Sequence, residues 1–334
     1  MEQINFAILS FAHIHAWNYA RVLKKLQHAN LVAIYDDDFK RLKKASSTFK
    51  VEKAYKDYRK LLEREAIDAV IITSENARHA ELALASAEAG KHILCEKPIA
   101  TNLNDSDEMI RTAEKNDVKL QIAFVMRYHP ATAEVKKLIE EGSIGNIISI
   151  TATNHGKYPG EWFGDPILAG GGAIIDHTVH VADLIRWYTN DEVSQVYAEA
   201  GENIRPELKV EDNALILLKM KKGIIASIDP SWSRPDEWPF WGDVYLFVVG
   251  ERGCIVVDAF SQHIQIASKE NRKLTYSYYG TDPDEEMIKS FIQVITRDEE
   301  PLASGFDGRQ ALEIALAAYE SIKRRKPVKL PLNL

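Results

Sequence analysis

Along the first 120 or so residues, short apolar runs alternate with amphipathic or alanine-rich stretches. Phe6-Ala7-Ile8-Leu9 and Leu31-Val32-Ala33-Ile34-Tyr35 read as strands, with a helix over about 17–26 between them. A charged helix is predicted over about 39–49. Ala69-Val70-Ile71-Ile72 is apolar throughout and too short for a helix, so it reads as a strand. An alanine-rich helix over about 80–89 is stopped by Gly90. The run His92-Ile93-Leu94, a helix over about 106–115 and a strand over about 119–124 complete the series. This alternation predicts a parallel, doubly wound α/β sheet over residues 1–121. From about residue 145 the pattern changes. Apolar runs near 147–154, 193–200, 213–220, 223–229, 244–249, 254–259 and 264–267 follow one another, several joined by turns such as Lys221-Lys222-Gly223 and Glu251-Arg252-Gly253. Helices are expected only over about 173–188 and 308–323. Residues 122–334 therefore read as an α+β domain with an open, largely antiparallel sheet.

Composition narrows the function. The chain has 334 residues, 46% of them apolar, enough to bury a core in each of two domains. The net charge is −7 with no long basic run, which argues against nucleic acid as a partner. No apolar stretch approaches the roughly 18 residues that span a bilayer, so no membrane partner is expected. The acidic-polar start lacks the n-region of a signal peptide. Cys95 and Cys254 are far apart, which excludes a disulfide framework and argues against a thiolate metal site. The expectation is a soluble, cytoplasmic protein.

The segment after the first strand, Ser10-Phe11-Ala12-His13-Ile14-His15, stands where a dinucleotide fold carries G-x-G-x-x-G. The glycines are absent. Ser10 and Ala12 are small enough for a close backbone approach, and a helix N-terminus offers N–H groups to a phosphate. Asp36 ends the second strand where an acid would bind a ribose 2′-hydroxyl. With Asp37 and Asp38 beside it, the spot would repel a 2′-phosphate, so NAD is favoured over NADP. The alternative is a solvated acidic turn. His13-x-His15 also raises a metal-dependent hydrolase, but no eight-fold βα repeat follows. No metal is assigned.

Two segments carry chemistry. Cys95-Glu96-Lys97-Pro98 closes the His92–Leu94 run. Pro98 breaks the strand and leaves Lys97 at its carboxyl end, where open α/β sheets bind ligands. Gly170-Gly171-Gly172 leads into a helix bearing Asp176, His180 and Asp183 at i, i+4 and i+7, on one face. A carboxylate and an imidazole one turn apart suit a proton relay.

These motifs resemble the Gfo/Idh/MocA family, which includes glucose–fructose oxidoreductase and inositol dehydrogenases. Ala89 to Pro98 is close to the family's A-G-K-H-V-L-C-E-K-P. Ser74-Glu75-Asn76-Ala77-Arg78-His79 resembles T-P-N-x-x-H, Arg127 to Pro130 resembles R-x-x-P, and Gly170 to Asp183 resembles G-G-G-x-L-x-D-x-G-x-H-x-x-D with Thr178 for the glycine. Asp307-Gly308-Arg309-Gln310-Ala311-Leu312-Glu313 also fits. The resemblance implies a Rossmann domain, a second domain for substrate binding and oligomerisation, an NAD(P) cofactor, a sugar, cyclitol or polyol substrate, and a homo-oligomer, dimer or tetramer. It implies Lys97, His180 and Asp176 as catalytic residues. Ser10, Phe11, Ala12, His13, Ile14, Asp36, Ser74, Asn76, His79, Glu96, Lys97 and Arg127 would line the cofactor.

Aromatic and charged residues flank the glycine run. His155, Tyr158, Trp162 and Trp232, with Lys97, Asp176, His177 and His180, are candidates to line a polyol pocket, since indoles pack on sugar C–H faces. Tryptophans that anchor loops are an equal alternative. A metal shared by His155, His177, His180 and Asp176 is poorly supported, because His177 lies about 100° from Asp176 on an ideal helix. The reading is an NAD(P)-dependent oxidoreductase acting on a secondary alcohol. A redox-neutral NAD-dependent lyase or glycoside hydrolase, and a non-catalytic sugar- or nucleotide-binding protein, are the alternatives.

Overall fold

A computed structural model describes residues 3–267, 274–278 and 280–332. They form two compact units. The first comprises residues 1–125, 167–170 and 283–312, and the second 126–166, 171–282 and 313–334.

The first unit is built on a six-stranded sheet of β1 (Ile4–Leu9), β2 (Ala29–Tyr35), β3 (Lys53–Tyr55), β4 (Ala69–Ile72), β5 (His92–Cys95) and β6 (Leu120–Ile122), in the order β3-β2-β1-β4-β5-β6. Every neighbouring pair is parallel. All four residues of β4 are buried, as expected of a strand covered on both faces. The helices between strands begin where side chains satisfy free N–H groups. Asp38 caps Phe39–Phe49, Asp57 caps Tyr58–Arg64 and Asn102 caps Leu103–Lys115. The chain winds outward from β1 through β2 to β3, then restarts on the other side at β4. That reversal is a topological switch point, and the loops after β1 and β4 flank its crevice.

Three elements of this unit carry no clear pattern in the sequence: β3, the helix Tyr58–Arg64 and the helix Pro283–Arg297. β3 has three residues, none of them fully buried, so its burial pattern is faint. The helix Pro283–Arg297 starts with proline and carries Asp284, Glu285 and Glu286 in its first turn, the composition of a helix start. It packs against the helix His15–Lys25, with Asn18 donating to Asp284 at 2.5 Å and Phe291 facing Phe6 at 6.3 Å between ring centroids.

The second unit holds a mixed sheet of β7 (Ile147–Lys157), β8 (Val193–Ala200), β9 (Ala214–Met220), β10 (Ile225–Arg234), β11 (Tyr245–Gly250) and β12 (Gly253–Asp258), joined at one edge by β15 (Val328–Lys329). A separate hairpin pairs β13 (His263–Ala267) with β14 (Leu274–Tyr278). β7 and β10 run parallel and the other pairs are antiparallel, in line with an open, largely antiparallel sheet. Burial alternates strictly along β9, so one face is packed and the other open. The helix Ala173–Thr189 packs on β7 and β10 across the closed face. Among the described residues, no helix is long and apolar enough to cross a membrane.

The start of that helix is fixed by Glu211. Its Oε1 accepts the N–H groups of Gly172 and Ile174 and the Tyr319 hydroxyl, at 3.1, 2.8 and 2.8 Å. Gly172 is required by space. A Cβ there would lie 1.9 Å from the Glu211 carbonyl oxygen. Gly172→Ala should therefore destabilise the protein by about 1–3 kcal/mol, the usual cost of forcing an extra carbon into a packed site. Urea unfolding measures this, and an unchanged midpoint would contradict the close approach.

Candidate functional site

In the first unit, the loop after β1 keeps a glycine-like backbone without glycine. Ser10 has φ of +80°, a region that disfavours side chains. Its hydrogen bonds offset the strain: Ser10 N–H donates to Tyr35 O at 2.7 Å, and Ser10 Oγ accepts from Ala12 N–H at 3.1 Å. Phe11 turns inward, packing edge-on to Trp17 and stacked on Phe49. His13 N–H donates to Thr73 O, which ties this loop to the one after β4.

Asp36 closes the loop from the side. Its side chain is inaccessible, and its oxygens accept from Phe11 N–H at 2.7 Å, Asp38 N–H at 2.8 Å and Arg41 Nε at 3.0 Å. Burial pushes this carboxyl above its ordinary pKa, and the donors work against that rise. In this arrangement Asp36 holds the loop, its oxygens already occupied by protein donors. Beyond it, Asp37 pairs with Arg41 and Arg78.

Glu96 is the second buried carboxylate. Oε1 accepts from Tyr19 OH at 2.5 Å and faces His15 Nδ1 at 2.9 Å, while Oε2 accepts the Lys97 N–H at 3.1 Å. Burial alone would raise its pKa, but the charges of His15 and His13 and the His15 hydrogen bond hold it well below the usual carboxylate range. Lys97 follows at the carboxyl end of β5, 4% exposed. His79 is fully buried, with Nδ1 donating to Pro98 O at 2.8 Å and Nε2 near Ser74 O at 3.3 Å, so it clips the β4 loop to the β5 loop. Burial lowers its pKa. Ser74 is buried beside it, and Asn76 Nδ2 donates to Ala169 O at 2.9 Å.

In the second unit, Asp176 and His180 lie one turn apart on the helix Ala173–Thr189. Asp176 Oδ2 accepts from Trp232 Nε1 at 3.0 Å and faces His177 Nε2 at 3.3 Å. His177 Nδ1 donates to Asn154 O at 2.8 Å. Ideal helix angles set His177 about 100° from Asp176. Adjacent side chains here converge because Gly156 admits the imidazole, where a Cβ would lie 2.7 Å from its Cε1. Trp232 is wholly buried against Tyr158, and Trp162 stacks on Phe163 at 3.9 Å, so both indoles are packed. Arg127, expected to line the cofactor, is buried in a two-pronged pair with Asp183, with bonds of 2.7 and 2.6 Å. That pair also removes Asp183 from the relay face.

Two family profiles cover most of the chain. Residues 4–124 match an oxidoreductase family with an NAD-binding Rossmann fold, and residues 132–256 match the GFO/IDH/MocA C-terminal domain. The chain belongs to the Gfo/Idh/MocA oxidoreductases. It is 33% identical over 328 residues, 95% of each protein, to a myo-inositol 2-dehydrogenase of Thermotoga maritima. It is 25% identical over 344 residues, 98% of this chain and 97% of the other, to a scyllo-inositol 2-dehydrogenase (NAD(+)) of Bacillus subtilis. A crystal structure of a probable dehydrogenase from Thermotoga maritima superposes with a TM-score of 0.85 at 30% identity, covering 98% of this chain and 99% of that one.

The crevice of this family member fits a dinucleotide. The helix His15–Lys25 begins there, its first N–H groups bonded within the turn: His15 N–H donates to His13 Nδ1 at 3.2 Å, Ala16 N–H to His13 O and Trp17 N–H to Ile14 O. Asn76 Oδ1, on the opposite loop, is buried and has no hydrogen-bond partner among the described residues. Such an acceptor calls for a donor from outside the protein. Sequence reasoning did not find Glu211, Tyr319, Asn154 or Tyr19. Each acts through a contact distant in sequence, and none sits in a motif.

His155 has a defined electrostatic setting. Nε2 faces Asp229 at 3.1 Å and Nδ1 faces Asp243 at 3.0 Å, with Arg234 Nη2 2.6 Å from the same Asp243 oxygen. Burial lowers its pKa, but the hydrogen bonds to Asp229 and Asp243 dominate and raise it to about 9. A raised pKa contributes stability that is complete below the unfolded value and is lost as pH rises through the folded one. The wild-type protein should therefore lose stability between about pH 6.5 and 9. His155→Gln should lower the thermal midpoint near pH 6.5 and flatten that decline. Parallel pH profiles for the two proteins would contradict the pairing.

Proposed function

We propose that this protein transfers a hydride between NAD and a secondary alcohol of a cyclitol or sugar. The observation that carries the reading is Asp176, held by Trp232, one helical turn from His180, in a family whose related members are inositol dehydrogenases. Bound NAD supplies a nicotinamide ring that accepts the hydride. The residues that would hold it are Ser10 to Ile14, Ser74, Asn76, His79 and Glu96. His180 removes the hydroxyl proton as general base. Asp176 orients the substrate hydroxyls, and Lys97 hydrogen-bonds the reacting oxygen and favours its alkoxide form. His155, Tyr158 and His177 shape the substrate side.

NAD is preferred over NADP. The cations at the end of β2, Arg41 and Arg78, are already paired with Asp36, Asp37 and Glu75, so they offer little positive charge to a 2′-phosphate. Incubation with NAD and a panel of inositols and aldoses should give net NADH with at least one member. Lys97→Ala should lower kcat at least about 100-fold while NADH affinity stays within a few-fold. Near-normal turnover in that variant, or substrate consumption with no NADH release, would overturn the assignment.

The open face of the second sheet supports a homo-oligomer. Leu215, Leu217, Ile225 and Val256 are each more than half exposed there, an apolar patch of the kind that marks association. Leu217→Glu with Ile225→Lys should convert a dimer or tetramer to monomer in sedimentation velocity. A monomeric wild-type protein would contradict this reading.

A further inference from the structure

We propose that His13, His15 and Glu96 form a binding site for a divalent transition-metal ion such as Zn²⁺. One ligand atom from each side chain lies within 4.8 Å of the others. Two imidazoles and one carboxylate form a donor set that suits zinc and its first-row neighbours rather than magnesium or calcium, which prefer oxygen.

The sequence builds this triad from two separate loops. His13 and His15 stand two apart in the turn after β1, and their rings pack edge to face at 4.3 Å between centroids. Glu96 comes from the end of β5 and points at them. Metal bonds of 2.0–2.2 Å place neighbouring ligands about 3.3 Å apart. The His15 Nδ1 to Glu96 Oε1 separation is 2.9 Å and the three ligand atoms lie within 4.8 Å, so an ion is seated by a small opening of that pair and a closing of the wider ones, with His13 contributing Nε2 because its Nδ1 accepts the His15 N–H. On binding, the ion replaces the proton that His15 and Glu96 share, and that proton leaves to solvent.

The surroundings resemble an outer coordination shell. Tyr19 OH and the Lys97 N–H both donate to Glu96 and fix the carboxylate plane. His13 is 2% exposed and Glu96 1%, whereas the His15 side chain is 36% exposed and forms the path from solvent. Three protein ligands leave one coordination position for water or another ligand. The ion would add fixed positive charge to the loop that a Rossmann fold turns toward a diphosphate, in a chain that lacks the usual glycines there. This last role rests on the NAD reading, whereas metal binding does not.

The test is calorimetric titration of the chelator-treated, dialysed full chain with zinc chloride, without nucleotide. One ion per chain at micromolar affinity or better is expected. His15→Ala and His13→Ala should each weaken binding at least about 100-fold, and Glu96→Gln at least about 10-fold. His15→Gln, at the most exposed ligand, is the check on folding, monitored by circular dichroism. Absence of saturable binding to the wild-type chain overturns the proposal, and so does binding that survives unchanged in folded His15→Gln.

Discussion

A carboxylate taken out of water must be surrounded by donors, and the first unit is organised around that requirement at Asp36. Its oxygens gather the N–H of Phe11, the N–H of Asp38 and the guanidinium of Arg41. Those bonds hold the turn after β1 in a shape that glycine usually permits. Ser10 can then occupy a left-handed backbone, because its N–H and hydroxyl are both engaged. With that turn fixed, the His15–Lys25 helix starts at the switch point, and His13 and His15 reach Glu96. Loss of the Asp36 carboxylate would release each of these in sequence.

The second unit obeys the same rule with different residues. Glu211 is half-buried against the start of the Ala173–Thr189 helix, where it satisfies N–H groups that no helix can pair internally. This sets the helix along the sheet and so determines where Asp176 and His180 lie. Trp232 and His177 then restrict Asp176. Arg127 and Asp183 neutralise each other in the interior one turn beyond His180. Removing one of them would strand a buried charge, which is why both belong to the scaffold.

Much of this was legible in the chain. Strand and helix alternation, Gly90 after its helix and Pro98 after its strand are local signals, and they located the sheet edge that carries Lys97. That Asp176 and His180 lie one turn apart on one helix followed from their spacing. Asp36 was legible as an acid at the end of β2, but its burial was not, because Arg41 and the Phe11 N–H reach it only in the folded unit. The pairing of Arg127 was not legible for the same reason, since its partner Asp183 is 56 residues away. Trp162 and Trp232 carried equal odds as pocket walls or anchors, and packing places both in the interior. The segment 268–273 and residue 279 lie outside the described residues.

The glycine-poor turn braced by Asp36 still serves a nicotinamide dinucleotide. Fluorescence titration of the purified protein with NADH and NADPH tests it most directly. Saturable binding of NADH at one site per chain is expected, with NADPH weaker by about tenfold or more. Failure of both nucleotides to bind, or tighter binding of NADPH, would contradict it.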